Sequence, residues 1–119
     1  MINLSPEKAT SSFVFITSKD PLPKEINPKM TFKEKEGHTY IIKKKEAQDY
    51  NFAFQQTWSL ISLAYESDLE MTGLTAAISS ALGGAKIPCN IVAAFYHDHI
   101  FVPEHLSEIA MSILQEIEI

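Results

Sequence analysis

TWSLISLAYESDLEMTGLTAAISSALGGAKIPCNIVAAFYHDHIFVPEH occupies residues 57–105, and the way its apolar positions repeat decides the fold. TWSLISLAYE (57–66) is β-branched and aromatic, with Ile61, Leu63 and Tyr65 on one face and Trp58, Leu60 and Ala64 on the other. A strand that is apolar on both faces belongs inside a sheet covered on both sides. Downstream, Leu74, Ala77, Ile78, Ala81 and Leu82 fall at i, i+3, i+4, i+7 and i+8, the stripe of an amphipathic helix. The spacing predicts a helix over 68–82, opened by a capping box of Ser67 and Glu70 and stopped by Gly83-Gly84. After Pro88 come two strand-forming runs, CNIVAAFY (89–96) and HIFVP (99–103), which predict a hairpin. Its two-residue turn falls at His97-Asp98 or Asp98-His99, since aspartate bonds readily to nearby backbone N–H groups. Leu106, Ile109, Ala110, Ile113, Leu114 and Ile117 repeat the helical stripe and predict a second helix over 104–116, with Pro103 and Glu104 suited to its start. Residues 57–119 thus read β-α-β-β-α.

That unit is one strand short of the β-α-β-β-α-β ferredoxin-like sandwich. The first half offers strands at SFVFITS (12–18), MTFKEKE (30–36) and HTYIIKK (38–44), the last two joined near Gly37, and a short helix at KKEAQDYN (44–51). KDPLPKEINPK (19–29), with three prolines, reads as a loop. The expected architecture is α+β, an antiparallel sheet with helices on one face, completed by a strand from residues 12–44 and organised as segments 1–56 and 57–119.

Charge is uneven along the chain. Residues 1–56 hold nine Lys against seven acids, whereas residues 57–119 hold one Lys against eight, for a net charge of −5. Arginine is absent, and the acidic half would repel a phosphate backbone, so nucleic acid is not an expected partner. The lysine run 43–45 reads as a solvated strand end in preference to an anion patch. No stretch approaches the roughly twenty apolar residues of a membrane span. The first seventeen residues lack the continuous apolar run of a secretory signal, and the expected location is the cytoplasm. The single cysteine, Cys89, sits in an apolar run and reads as a small buried hydrophobe.

Two features carry chemistry. His97, Asp98, His99, Glu104 and His105 crowd into nine residues, and His97-x-His99 followed by Glu104 has the spacing of a metal-binding strand, because side chains at i and i+2 point the same way. Metal sites need three or four converging ligands, and no second histidine motif exists to supply the others, so no metal or cofactor is expected. The second feature is the turn SDLEMTGLT before the first helix of the C-terminal unit. Unsatisfied backbone N–H groups at that helix start and the helix dipole favour a carboxylate, and Gly73 would let another group approach the backbone.

The run SDLEMTGLTAAISSALGGAKIPCNIVAAFYHDHIFVP resembles a family of small bacterial ACT-domain proteins, in which a strand, a glycine-containing helix start and a Tyr-His-Asp-His hairpin follow in this order. The likeness extends upstream through SFVFITS, TFKEKEGHTYII and KKKEAQDYNFAF. It implies a ferredoxin-like fold, with the N-terminal half a partial or strand-exchanged ACT-like unit, and a stand-alone regulatory module rather than an enzyme. It also implies pairing into a homodimer and a small-molecule ligand, with an amino acid expected. Related amino-acid sensors carry an acidic residue in the hairpin and a glycine at the helix start, which are matched here by Asp98 and Gly73; the flanking histidines depart from them. The candidate ligand-binding residues are Asp68, Met71, Thr72, Gly73, Asn90, His97, Asp98 and His99. The competing readings are a metal-dependent enzyme using His97, His99 and Glu104, and a purely structural interaction module.

Overall fold

The computed structural model describes residues 3–66, 68–70 and 72–117. The chain falls into two compact units: one comprises the chain up to Thr10 together with everything from Ser59 onward, and the other is Ser11–Trp58. The first ten residues therefore belong with the C-terminal segment, a division that differs from 1–56 and 57–119 in that one piece.

The larger unit contains the start of β1 (Pro6–Ser18), β4 (Trp58–Leu63), α2 (Leu74–Gly84), β5 (Asn90–Ala93), β6 (Asp98–Pro103), a short 3-10 turn (Glu104–Leu106) and α3 (Ser107–Gln115). Its strands lie in the order β1-β4-β6-β5. Numbering β4, β5 and β6 as strands 1, 2 and 3 and β1 as strand 4 gives the order 4-1-3-2, that of a ferredoxin-like sandwich whose last strand comes from upstream. The missing strand was expected within 12–44; it is instead Pro6–Thr10, ahead of that range. Both helices cover one face: Leu74, Ile78 and Leu82 of α2 and Ala110 and Leu114 of α3 pack on Ile61, Leu63, Ile100 and Val102. Strand alternation turns Leu60, Ser62, His99 and Phe101 to the opposite face.

Both ends of α2 differ from expectation, each for a local reason. α2 begins at Leu74 rather than at 68, because the Asp68 carboxylate accepts the Glu70 N–H at 2.9 Å in an Asx turn and Gly73 takes φ +90°, outside the helical region. Ser67 of the expected capping box lies outside the described residues. At its other end the helix runs through Gly83-Gly84, and the left-handed residue that ends it is Lys86, at φ +61°. Ile87 N–H donates to Leu82 O and Lys86 N–H to Gly83 O, both at 2.9 Å, which is the Schellman pattern, and Ile87 and Leu82 share the core. In α3 the buried stripe runs through Ala110 and Leu114 with Met111 and Ile113 beside it, leaving Ile109 55% exposed.

The smaller unit consists of the rest of β1, β2 (Met30–Glu34), β3 (Gly37–Lys43) and α1 (Lys44–Asp49), in strand order β2-β3-β1. Its ladders are antiparallel, with Glu34 opposite Gly37 across a two-residue turn and Phe13 opposite Lys43. Val14, Ile16, Ile26, Tyr40, Ile42 and Ala47 form its own core. Within this unit the expected strands, helix and proline-rich loop lie where the sequence put them.

Candidate functional site

The geometry of the site follows from the register of one hairpin. β5 and β6 pair antiparallel with Ala93 opposite Asp98 and Asn90 opposite Phe101, and Ala94 N–H donates to His97 O at 3.1 Å. The turn is therefore Phe95-Tyr96, two or three residues earlier than the expected His97-Asp98 or Asp98-His99, and Asp98 belongs to the strand. In that register Asp98 shares the helix-covered face with Ile100 and Val102, and it is only 4% exposed. His99, next along the strand, has the opposite orientation, and His97 lies in the hairpin loop before β6.

Asp98 lines a small cavity of about 40 Å³ together with Asp68, Leu69, Leu74, Thr75, Ala93 and Ala94. Leu74 and Thr75 are the first residues of α2, whose N-cap residue, Gly73, has no side chain to bond there. The leading backbone N–H groups of a helix have no intrahelical acceptors and carry the positive end of its dipole. A buried carboxylate and a helix start thus bound the same small space. A wider cleft of about 450 Å³, lined by Glu66, Asp68, Leu69, Phe95 and Tyr96, shares Asp68 and Leu69 with the cavity. Phe95 and Tyr96 stand 72% and 59% exposed with their rings edge to face at 4.9 Å.

Of the sequence candidates, Asp68 and Asp98 come together directly, and Gly73 immediately precedes the cavity-lining Leu74. Gly73 answers a conformational need, its φ of +90°, rather than close approach: a Cβ there would meet no protein atom within 4 Å. Thr72 is exposed and lines neither space, its place being taken by Thr75. Asn90 is exposed at the far end of β5, three residues from Ala93, which is about 10 Å along a strand. Met71 lies outside the described residues. Sequence reasoning missed Glu66, Leu69, Thr75 and the aromatic pair, because only the hairpin register and the late start of α2 place them.

The hairpin histidines are held by hydrogen bonds to β4 and the residues that follow it. His97 Nδ1 donates to the Tyr65 carbonyl at 3.3 Å, which fixes a proton on that nitrogen, and His99 Nδ1 is hydrogen-bonded to Ser62 Oγ at 2.7 Å. His105 and Glu104 are exposed in the 3-10 turn. Among the described residues no three His, Cys, Asp or Glu side chains converge as metal ligands. Cys89 is half-buried against the core, and burial pushes its thiol above the ordinary value, away from the reactive thiolate.

Two models of the ACT domain match the chain, one over residues 1–59 and the other over residues 53–116. The chain belongs to the ACT-domain family. Among solved structures, a protein of unknown function from Vibrio cholerae is 35% identical with a TM-score of 0.90, the alignment covering 98% of this chain and 91% of that one. A protein from Agrobacterium tumefaciens aligns at 14% identity and TM-score 0.72 over 96% and 88% of the two chains. The ligand-free regulatory subunit of aspartate kinase from Thermus thermophilus aligns at 11% identity and TM-score 0.69, covering 96% and 97%. At such identities the last two establish the fold alone. No curated protein matches the chain at a significant level. The ACT assignment carries a regulatory, ligand-binding role, and it accounts for the ferredoxin-like strand order of the larger unit. No helix among the described residues is long and apolar enough to cross a membrane.

Proposed function

We propose that this ACT-domain protein is a non-catalytic regulatory module that binds a free amino acid where Asp98 meets the start of α2. One observation supports this above the others: a carboxylate only 4% exposed shares a cavity with Leu74 and Thr75, at a helix start whose N-cap residue is a glycine. An α-amino acid carries both charges on one carbon. Its ammonium suits Asp98 and its carboxylate suits the helix N–H groups, while its side chain would extend into the cleft beside Phe95 and Tyr96. The small volume of the inner cavity fits the polar head of such a ligand better than a bulky metabolite. Asp68, which borders both spaces, would stand where head and side chain join. We further propose that the protein acts as a homodimer in the cytoplasm. β5 lies last in the strand order of its unit, and an edge strand left unpaired is a liability that self-association removes.

The test is a thermal-shift screen of amino acids against wild type, Asp98→Asn and Ala94→Leu. Asp98→Asn keeps the shape of the side chain but removes a charge-assisted hydrogen bond of about 1.5–3 kcal/mol, so affinity should fall on the order of tenfold to a hundredfold. Ala94→Leu should obstruct the cavity. A ligand that stabilises all three proteins alike would show that binding happens elsewhere.

A further inference from the structure

The smaller unit carries a cleft that the ACT reading does not use. It has a volume of about 460 Å³ and is lined by Ser11, Ser12, Lys43, Lys44, Lys45 and Gln48, with no carboxylate among them. It arises because β3 ends and turns into α1 at Lys44 while β1 runs on: Phe13 is opposite Lys43, so Ser12 and Ser11 continue alongside the lysine run. We propose that this cleft is a second ligand site, and that it takes a small phosphate-type anion carrying two or more negative charges.

The charges around the cleft favour an outside anion over an internal one. Glu46, the nearest acid in sequence, has both oxygens engaged by backbone: Oε1 accepts the Lys43 N–H at 3.1 Å and Oε2 accepts the Asn27 N–H at 3.2 Å. Asp49 pairs with Lys45 at 3.2 Å. Among the described residues neither Lys43 nor Lys44 has a carboxylate within ion-pair distance, so two ammonium groups of the three lack a counter-charge. Ammonium groups held close together repel, and a multiply charged anion between them removes that cost. Serine hydroxyls and the Gln48 amide are hydrogen-bond donors, and phosphate oxygens accept from both kinds of group. The setting agrees: residues 11–58 contain eight Lys against six acids, a surplus of +2, whereas the remaining residues carry two Lys against nine acids. The volume lies within the ~300–1,000 Å³ of small-molecule pockets, and with no arginine in the chain the cleft lacks the forked donors that read nucleic acid, so a compact ligand is favoured over a polymer.

The experiment titrates the full chain with pyrophosphate, against sodium chloride of equal ionic strength, while amide resonances are followed by NMR. Saturable shifts are expected at Ser11, Lys43, Lys44, Lys45 and Gln48, and a Lys43→Gln, Lys44→Gln double variant should bind roughly tenfold more weakly or worse. Gln48→Glu, an exposed helical substitution that places a carboxylate in the cleft, should abolish saturation even if the double variant proves hard to handle. Equal shifts with sodium chloride, shifts of the same size at Lys19, Lys24 and Lys33, or unchanged binding by Gln48→Glu would each overturn the proposal. Tighter binding of a short single-stranded oligonucleotide than of pyrophosphate would overturn it too, by assigning the surface to a polymer.

Discussion

Replacing Gly73 by alanine is expected to destabilise the larger unit by about 1 kcal/mol, and the reason can be isolated. Gly73 holds φ +90° at the residue before α2. An L-residue with a Cβ pays about 1–2 kcal/mol in the left-handed region. Against this, alanine restricts the unfolded chain more than glycine does, which returns about 0.4–1 kcal/mol. No steric term enters, since an added Cβ meets nothing within 4 Å. With a urea slope of about 1–3 kcal/mol per molar, the unfolding midpoint should drop by about 0.3–1 M. Far-ultraviolet circular dichroism is the appropriate probe because α2 and α3 lie in the affected unit. Gly73→Asn should lose clearly less, as asparagine tolerates left-handed backbone better. A midpoint unchanged in Gly73→Ala, or equal losses for Ala and Asn, would refute the conformational argument. If Gly73→Ala instead loses ligand response far beyond its stability loss, the ligand itself lies against that stretch of backbone.

Lys86→Gly should stabilise the protein by about 0.5–1 kcal/mol, the mirror of the previous case, because Lys86 holds the left-handed Schellman position at φ +61°; a fall in the urea midpoint would contradict it. Ile78→Ala, at a fully buried site facing the sheet, should cost about 2–5 kcal/mol, whereas Ile109→Ser on the exposed side of α3 should stay within about 0.5 kcal/mol; similar losses for the two would mean that the faces of the helices are misassigned. Cys89 should react with iodoacetamide more slowly than a free thiol at pH 8, because its folded pKa is raised and less thiolate is present. For the same reason this group disfavours the folded state as pH climbs past the thiol's unfolded value, so unfolding should release the reactivity, and equal labelling rates in buffer and in urea would count against it.

The apolar periodicities that the sequence displays openly are the parts that read correctly. Ile61 and Leu63, the Leu74-Ile78-Leu82 stripe and the Ile100-Val102 pair all reach the same core. What resisted reading lacks side-chain signals. The stretch PEKAT has a proline, two charges and a single β-branched residue, yet it runs as strand, because position beside β4 rather than propensity decides it. The hairpin turn is Phe95-Tyr96, with no Gly, Asn or Asp, so the polar His-Asp-His that follows drew the turn two or three residues too late. That error matters for the site. Moving the turn back to Phe95-Tyr96 takes Asp98 out of the turn and into β6, on the face of Ile100 and Val102, and strand alternation then separates it from His99, which no count of clustered polar residues could show. Asp68 and Asp98 were legible as acids near a helix start and a hairpin, but their meeting with Thr75 depends on the Asx turn at Asp68 and the late start of α2.

The position of β1 in the chain also governs the order of events during synthesis. Pro6–Thr10 leaves the ribosome well ahead of its partner, since Ser5 O accepts its hydrogen bond from Ala64 N–H at 3.0 Å, fifty-nine residues later. At translation rates of about 5–20 residues per second that partner follows roughly 3–12 s behind. During that interval the segment has no strand to pair with, and the charges of Glu7 and Lys8 are the kind that discourage pairing with other nascent chains until Lys8 can reach Glu108 of α3, at 2.7 Å in the folded protein.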